Sequence, residues 1–391
     1  MYYVPRKIEA FVRENLSVFP AVAILGSRQC GKSTLVKMME KDEVNFLYLD
    51  LQNRDDLAKL NEPSLFFRHN SDKTICLDEV QLVPDLFAVL RSEIDRERRP
   101  GRFIILGSAS KNLIQHTSET LAGRVGLVDL TPFMINEVAQ TSDFNLEKYW
   151  LRGGYPDSYG AVSDNASCLW RENFIRTYIE RDIPQLGFQI ASPQLLRILT
   201  MSAHEHGQLL NASKLASSMG LSAPTVRHYL DIMEQTYIMR SLPPYFKNTK
   251  KRLVKSPKIY IRDSGLLHQI LQIKTFNDLL SNPIMGESWE GMVVENICSM
   301  ARNAQCFFYR SATGEEMDLV LQYSDQLIAI ECKSSTAPSV SEGFWKAIEF
   351  LNPTHTYIVA PVDSPYPLSD KVDVCNLTDM MKVVEKLQMG S

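Results

Sequence analysis

Residues 26–33 read GSRQCGKS, and the prediction of the fold begins from this stretch. An apolar run, AVAIL, precedes it at 21–25, and a helical pattern, TLVKMM, follows it at 34–39. A G-x-x-x-x-G-K-S loop between a buried strand and a helix is typical of a phosphate-binding P-loop rather than of a chance match. Its glycines let successive backbone N–H groups face a polyphosphate, toward which the helix also directs the positive end of its dipole.

The loop and the start of the helix supply the predicted contacts to ATP. We expect Lys32 to reach the β- and γ-phosphates and Ser33 to offer its hydroxyl to Mg²⁺. The residues expected to bind the nucleotide are Gly26, Ser27, Arg28, Gln29, Cys30, Gly31, Lys32, Ser33 and Thr34. The alternative is a glycine-rich surface turn with an exposed lysine, and it leaves the flanking strand and helix unexplained.

A second apolar run, TICL at 74–77, stops at two adjacent carboxylates, Asp78 and Glu79. A nucleotide hydrolase needs such groups at the end of a strand beside its P-loop. We expect Asp78 to hold Mg²⁺ with ATP, and Glu79 to orient and deprotonate the attacking water.

Two further residues are candidates for the reaction. Ser108 ends the apolar strand at 103–107, where a polar side chain can sense the γ-phosphate, although a polar strand end is also a common helix cap. Arg124 precedes the strand at 126–130 and could bring positive charge to the transferring phosphate of its own or a neighbouring subunit. A surface salt bridge is the alternative for Arg124.

Length and composition bound the class of protein. A chain of 391 residues suggests two or three domains, and a net charge of −4 argues against a generally basic, nucleic-acid-coating surface. Seven scattered cysteines without a C-x-x-C pair indicate reduced thiols rather than a zinc site or a disulfide framework. No apolar stretch approaches the ~18 residues of a membrane span, so we expect a soluble, cytoplasmic protein without membrane contact.

Several of these segments resemble a known family. GSRQCGKS at 26–33, LDEVQ at 77–81, LGS at 106–108 and LAGR at 121–124 look like AAA+ type ATPases of bacteria and archaea that carry a C-terminal domain of unknown function. The likeness continues through LRGGYP at 151–156, YIERD at 178–182 and GESWE at 286–290. The resemblance implies ATP binding, ATPase activity and assembly into homo-oligomers.

The middle of the chain has helix-turn-helix spacing. Asn211 and Ser222 are placed to cap two short helices around Gly220, and the second helix has one apolar face. That face consists of Val226, Leu230 and Met233, with Thr225, Arg227 and His228 pointing outward. The strands at 237–239 and 258–261 are predicted to form the wing of a winged helix.

Basic residues lie between the two wing strands: Lys247, Lys250, Lys251, Arg252 and Lys255. Their charge suits contact with DNA phosphates. An ATPase lid, a protein-binding module or a solvated loop are the alternatives. Upstream, Arg181 is a second arginine that could sense nucleotide, although its acidic neighbours also suit an ion pair.

The last part of the chain predicts the element order αβββαβ, with a helix at 286–302 and strands at 306–310, 316–321, 327–333 and 354–359. Asp318 on one strand and Glu331 and Lys333 on the next resemble a PD-(D/E)XK nuclease core. Glu331 and Lys333 face one side of their strand, and Asp318 is expected to lie near Glu331. Asp318 and Glu331 could hold a metal ion, assisted by Glu290 and Lys333. A structural ion-pair network is the alternative.

The predicted fold class is α/β: a P-loop NTPase parallel sheet with helices on both faces, a mainly helical winged-helix middle region and a C-terminal α/β domain like PD-(D/E)XK nucleases. The predicted domains are 1–150, 151–280 and 281–391. The predicted function is an ATPase whose nucleotide state controls the C-terminal region, with DNA or a protein as partner. The alternative is an ATP-dependent switch whose C-terminal domain binds without cleaving.

Overall fold

The computed structural model of the protein describes residues 3–41, 45–108, 121–188, 190–246 and 254–389. The chain forms two compact units, and each of them is assembled from several segments. The first unit comprises Met1–Phe133, Thr177–Ile190 and Gln235–Tyr237, and the second comprises Met134–Arg176, Ala191–Glu234 and Ile238–Ser391. The three predicted domain ranges remain a prediction.

Five parallel strands form the sheet of the first unit. They are β1 (Ala21–Gly26), β2 (Phe46–Asp50), β3 (Thr74–Asp78), β4 (Phe103–Ser108) and β5 (Val125–Asp129). Their spatial order is β2-β3-β4-β1-β5, so β4 lies between β1, which leads into the P-loop, and β3, which ends at Asp78. All paired strands run parallel, so their carboxyl ends meet at one edge of the sheet.

Helices cover both faces of this sheet, because its central strands β1 and β4 are apolar and buried on both faces. The helices are α1 (Glu9–Val18), α2 (Lys32–Glu40), α3 (Arg54–Ala58), α4 (Pro63–His69) and α5 (Leu86–Arg96), with a 3₁₀ turn at Val80–Leu82. In β1, Ala21 and Ala23 belong to the core that includes residues of α4 and α5, whereas Val22 and Ile24 belong to the core that includes residues of α1 and α2. The predicted parallel sheet with helices on both faces is confirmed.

The helices of the second unit begin with α6 (Ile135–Val138), α7 (Leu146–Arg152), α8 (Pro156–Tyr159) and α9 (Asp164–Thr177). At Thr177 the chain enters the first unit, where the π-helix Tyr178–Asp182 and α10 (Ile183–Gln185) follow without interruption. The second unit resumes with α11 (Ser192–His204), α12 (Ala212–Met219) and α13 (Ala223–Gln235), whose last residue belongs to the first unit. It continues with α14 (Ser264–Ile270), α15 (Phe276–Leu280), α16 (Met285–Met300), α17 (Glu342–Leu351) and α18 (Leu377–Met389).

The helix pair α12–α13 has the spacing that the sequence predicts. The side chain of Asn211 accepts a hydrogen bond from the backbone N–H of Lys214, and Gly220 takes a left-handed conformation between the helices. Val226, Leu230 and Met233 are buried, Thr225 is half-buried, and Arg227 and His228 are exposed. The antiparallel strands β6 (Met239–Leu242) and β7 (Lys258–Ile261) follow α13. Whether this group acts as a winged helix remains an interpretation.

A six-stranded mixed sheet forms the carboxyl-terminal part of the second unit. Its strands are β8 (Gln305–Arg310), β9 (Glu316–Gln322), β10 (Leu327–Cys332), β11 (His355–Val359), β12 (Tyr366–Ser369) and β13 (Val372–Cys375). The spatial order is β12-β13-β11-β10-β9-β8, with β10 antiparallel to β9 and parallel to β11. The predicted order αβββαβ is present from α16 to β11. The sheet then extends through β13 and β12, which the sequence did not predict.

None of the helices in the described parts of the chain combines the length and the apolar character needed to cross a membrane.

Candidate functional site

The P-loop connects the end of β1 to the start of α2. Lys32 is the first residue of that helix, is only 6% exposed, and directs its ammonium into the loop. Its Nζ donates hydrogen bonds to the carbonyl oxygens of Gly26 at 3.1 Å and Ser27 at 2.8 Å. The loop therefore holds its lysine with neutral backbone groups.

Two glycines and one distant arginine fix the loop backbone. A Cβ atom on Gly26 would lie 2.2 Å from the carbonyl oxygen of Leu130, and Gly31 has a φ of 105°, in the left-handed region. Arg6, which is buried, donates to the carbonyl oxygens of Cys30 at 2.9 Å and Thr131 at 2.7 Å. The conformation of the loop thus depends on residues far from it in sequence.

Asp78 lies at the end of β3 and contacts the P-loop helix. Its Oδ2 accepts a hydrogen bond of 2.6 Å from the Ser33 hydroxyl and another from the hydroxyl of Tyr48, on the neighbouring strand β2. Burial and then the bond to Asp78 raise the pKa of Tyr48, so its hydroxyl remains protonated and donates. Asp78 is 4% exposed, and two side-chain hydroxyls hold its Oδ2.

Glu79 follows Asp78 in an unusual backbone conformation, with a φ of 57°. Its N–H donates to Oδ1 of Asp78 at 2.9 Å, and its side chain accepts a hydrogen bond from the amide of Gln81. A non-glycine residue in the left-handed region is uncommon, and such strain is found preferentially at functional sites. Glu79 thus combines a backbone conformation typical of functional positions with a side chain that Gln81 holds in place.

A cleft in the first unit is lined by the loop residues Gly26, Ser27 and Arg28 and by Glu79. Part of its wall comes from the later segment 177–190, which contributes Tyr178 and Asp182, among others. Arg28 forms an ion pair with Asp182, whose pKa burial raises although the arginine opposes this. Arg181, which the sequence offered as a nucleotide-sensing arginine in addition to Arg124, is exposed.

The structure separates the two remaining catalytic candidates. Ser108 is the last residue of β4 and pairs in register with Gly26, so its backbone lies at the edge of the sheet where the P-loop begins. Arg124 precedes β5 at the opposite edge, about 16 Å away for a strand of five residues. It forms two contacts with Asp95, of 2.6 and 2.9 Å, which is the surface salt bridge considered as its alternative.

The residues present fit ATP and Mg²⁺. The hydroxyl of Ser27 is buried within the loop and has no hydrogen-bond partner among the described residues. A buried polar group normally has a partner, so this hydroxyl is available for a phosphate oxygen. Ser33 and Asp78 are oxygen donors of the type that Mg²⁺ prefers, and they touch each other.

The second predicted site lies in the C-terminal sheet. The register of β9 and β10 pairs Ile330 with Leu319, which places Glu331 opposite Asp318. The N–H of Cys332 donates to Oδ2 of Asp318 at 2.9 Å, and the ammonium of Lys333 lies 2.7 Å from Oε1 of Glu331. The three residues that the sequence placed together are thus adjacent.

Lys258 of β7, which the sequence analysis placed only in the wing, also belongs to this cluster. Its Nζ lies 2.8 Å from Oε1 of Glu290, 2.7 Å from Oε1 of Glu316 and 3.4 Å from Oδ1 of Asp318. The hydroxyl of Tyr260 donates to Glu290 at 2.6 Å. The alternation of Lys258 and Tyr260 within an apolar strand was the available signal, because it puts both side chains on one face.

The electrostatics of this cluster follow from burial and crowding. Burial, and then the charge of Asp318, raises the pKa of Glu290 to about 7 and that of Glu331 to about 8. Burial opposes the charge of Lys258, but attraction to Glu290 and the other acidic groups outweighs it and raises the lysine pKa. Within the described parts of the chain, no three His, Cys, Asp or Glu side chains are arranged to hold a metal ion.

The predicted basic wing lies mostly outside the described residues. Lys247, Lys250, Lys251 and Arg252 are not among them, and Lys255 is exposed. DNA contact by this loop therefore remains a prediction.

Three family comparisons divide the chain. Residues 18–139 match the family described as AAA domain, residues 143–277 match Domain of unknown function (DUF8612), and residues 285–380 match Domain of unknown function (DUF4143). The predicted resemblance to P-loop ATPases with a C-terminal domain of unknown function is confirmed in this form. The nuclease-like core remains a prediction.

Individual proteins extend the comparison to nearly the whole chain. A solved structure described as the Walker-type ATPase PABY2304 of Pyrococcus abyssi aligns with 69% of this chain and 96% of its own, at 15% identity. The TM-score of this alignment is 0.49. The Uncharacterized protein Mb2031c of Mycobacterium bovis and the Uncharacterized protein Rv2008c of Mycobacterium tuberculosis are each 39% identical over 367 residues, which are 94% of this chain and 82% of theirs. The chain therefore belongs to the family of these two mycobacterial proteins and carries an AAA-type P-loop domain at residues 18–139.

Proposed function

We propose that the protein is a Mg²⁺-dependent ATPase in which Lys32, Ser33 and Asp78 hold the nucleotide and its metal ion. The contact of 2.6 Å between the Ser33 hydroxyl and Asp78 carries this proposal. Ser33 and Asp78 are the two oxygen donors that a P-loop site offers to Mg²⁺. Ser33 lies in α2, and Asp78 lies at the end of β3, the strand next to β4. Bound Mg²⁺ would neutralise part of the phosphate charge.

The residues around the loop suggest what changes when ATP binds. Lys32 would exchange the carbonyl oxygens of Gly26 and Ser27 for phosphate oxygens, because a bond between two charged groups is the stronger one. Glu79 would leave the amide of Gln81 and accept a proton from the attacking water. Ser108, at the end of β4, is the proposed sensor of the γ-phosphate.

The test is ATP turnover by Glu79→Gln, compared with ATP binding by the same variant. We expect turnover to fall ~100-fold or more while binding persists, because the substitution removes the base and keeps the shape. Glu62→Gln changes an exposed glutamate of the same unit and is the matched control. Turnover in Glu79→Gln equal to that of the control would refute the assignment of the base.

We propose that the state of the second unit depends on the nucleotide that the P-loop binds. The order αβββαβ and the adjacency of Asp318, Glu331 and Lys333 support a nuclease-like region acting on DNA. The position of Lys258 among the carboxylates supports the alternative, a switch that binds a protein or nucleic-acid partner without cleaving it.

Incubation of the full chain with Mg²⁺ or Mn²⁺ and with DNA or RNA separates these two outputs. Cleavage that disappears in Asp318→Ala and Lys333→Ala favours the nuclease, whereas ATP-dependent binding without products favours the switch. The same protein can be tested for self-assembly. ATP turnover per molecule that rises with protein concentration would support the proposed homo-oligomer and an arginine acting between subunits.

A further inference from the structure

The ammonium of Lys258 and the carboxylates around it are the most crowded group of buried charges that the described residues of the second unit contain. Lys258 is 3% exposed, and its ammonium also lies 5.7 Å from the centre of the Phe308 ring. The carboxylates come from other elements: Glu290 from α16, and Glu316 and Asp318 from β9. One element therefore brings a positive charge to a group of acids built by two others.

We propose that the ammonium of Lys258 is a tethered cation, which fills the position where Glu290 and Asp318 would otherwise bind a divalent metal ion. This inference rests on the proposed nuclease-like site and adds a residue that keeps metal out of it. As folded here, the site would be closed to Mg²⁺ and Mn²⁺ for as long as Lys258 stays in place.

Lys258 uses its ammonium in three carboxylate contacts. A lysine ammonium has three hydrogen-bond donors, and Lys258 has a carboxylate oxygen from each of three residues within 3.4 Å. Carboxylate oxygens are also the ligands of hard divalent cations. Two cations cannot occupy one position, so the ammonium and a metal ion compete for the same oxygens.

A carboxylate oxygen of Glu331 without a hydrogen-bond partner among the described residues belongs to the same cluster. Glu331 is 9% exposed, and its Oε2 is buried without a hydrogen-bond partner among the described residues. The register places this residue opposite Asp318. A divalent cation takes six or more oxygen ligands, whereas an ammonium satisfies about three. The cluster therefore offers more acceptors than one lysine can use.

Backbone pairing on both sides fixes the position of Lys258. It pairs in register with Leu242 of β6 and forms a further bridge with Leu209. Its ammonium is thus delivered by a strand that is paired on both sides. Substitution of the side chain is consequently a cleaner test than an attempt to displace the strand.

The test measures Mn²⁺ binding by calorimetry and Tb³⁺ binding by luminescence excited through tryptophan, on the full chain without nucleotide. All four tryptophans, Trp150, Trp170, Trp289 and Trp345, lie in the second unit, so the luminescence favours ions bound there. We expect Lys258→Met to bind Mn²⁺ at least ~10-fold more tightly than the natural chain, and Lys258→Arg to resemble the natural chain. The gain should disappear in Lys258→Met with Asp318→Asn.

Loss of the ammonium could also prevent folding. Lys258→Met combined with Glu316→Gln lowers the repulsion and keeps Glu290, Asp318 and Glu331. If either variant is folded, as judged by tryptophan fluorescence, and gains no Mn²⁺ affinity, the proposal fails. It also fails if the natural chain binds Mn²⁺ in a way that Asp318→Asn abolishes. Since no step involves nucleotide, these failures would leave the proposed ATPase untouched.

Discussion

Lys32 and Lys258 are both buried lysines with close polar contacts, yet their neighbours differ in charge. Lys32 contacts two carbonyl oxygens, which are dipoles, and forms no ion pair with any carboxylate among the described residues. Lys258 contacts three carboxylates, which more than neutralise it. Burial of a lysine therefore does not by itself indicate an anion site. The charge of the groups around it decides whether it can attract a phosphate or is already paired.

The largest expected effect is on stability and concerns Lys258. Lys258→Ala should lower the free energy of unfolding of the second unit by ~3–5 kcal/mol, because it leaves buried carboxylates uncompensated. Urea unfolding followed by tryptophan fluorescence measures this, since every tryptophan belongs to that unit. The control is Lys255→Ala, which changes an exposed lysine three residues earlier. Equal unfolding curves for Lys258→Ala and Lys255→Ala would mean that the carboxylates around Lys258 do not need its charge, and the contrast with Lys32 would fail.

The next effect is on activity and concerns Lys32. Lys32→Ala should lower ATP turnover by ~10²–10³-fold, because it removes a charge aimed at the phosphates. Its stability should change by less than ~1 kcal/mol, since only hydrogen bonds to neutral carbonyls are lost. Lys41→Ala, at the other end of α2, is the control for both measurements. Full turnover in Lys32→Ala would contradict the role of the loop.

Two histidines extend the comparison to buried groups that are uncharged. Burial lowers the pKa of His206 and of His268 to about 3, and the ring nitrogens of His268 contact the Ser288 hydroxyl and the Leu151 carbonyl. Unfolding raises these pKa values to ~6.5, so unfolding takes up protons as the pH falls below that value. The stability that these groups contribute is complete above pH ~6.5 and declines toward acid.

The measurement is the slope of unfolding free energy against pH between 6.5 and 5. We expect His268→Gln to reduce this slope by ~0.7 kcal/mol per pH unit at pH 6.5, where half of the unfolded histidine is protonated, and by up to ~1.4 at pH 5, the contribution of one proton. His228→Gln, which changes an exposed histidine of α13, is the control variant. An equal slope in His268→Gln and in the control would mean that His268 takes up its proton in the folded state as readily as in the unfolded state.

The smallest effect concerns Arg124, a charged group of the first unit at its surface. Arg124→Gln should leave the stability of the first unit nearly unchanged, because the ion pair that Arg124 forms with Asp95 is exposed to solvent. At low protein concentration its ATP turnover should stay within about twofold of the natural chain, since it lies at the far edge of the sheet. A large loss of ATP turnover that grows with protein concentration would instead indicate that Arg124 acts between subunits.

The elements that the sequence predicted well depend on local patterns. The P-loop, the strand ending at Asp78 and the order αβββαβ each follow from apolar runs and turn residues within a few positions. The adjacency of Asp318 and Glu331 also followed, because a tight turn sets the register of the strands that carry them.

The unpredicted contacts join positions that are distant in sequence. Arg6 supports the loop at Cys30 and also reaches Thr131, 125 positions away, and Arg28 pairs with Asp182, 154 positions away. Lys258 reaches Asp318 across 60 positions. No periodicity reports such pairs, since they depend on how separate segments meet in the folded unit. The sequence thus indicated Glu290 and Asp318 and missed Lys258, the lysine that lies between them.

The segmented first unit has a consequence for synthesis on the ribosome. The cleft beside its P-loop is lined by Tyr178, Asp182 and Thr236, although the sheet is complete at Asp129. An emerging chain therefore makes all five strands long before it can finish the cleft wall, which must wait until residue 236 has left the exit tunnel. A nascent polypeptide truncated near residue 150 would display a P-loop whose Arg28 has no Asp182 to meet.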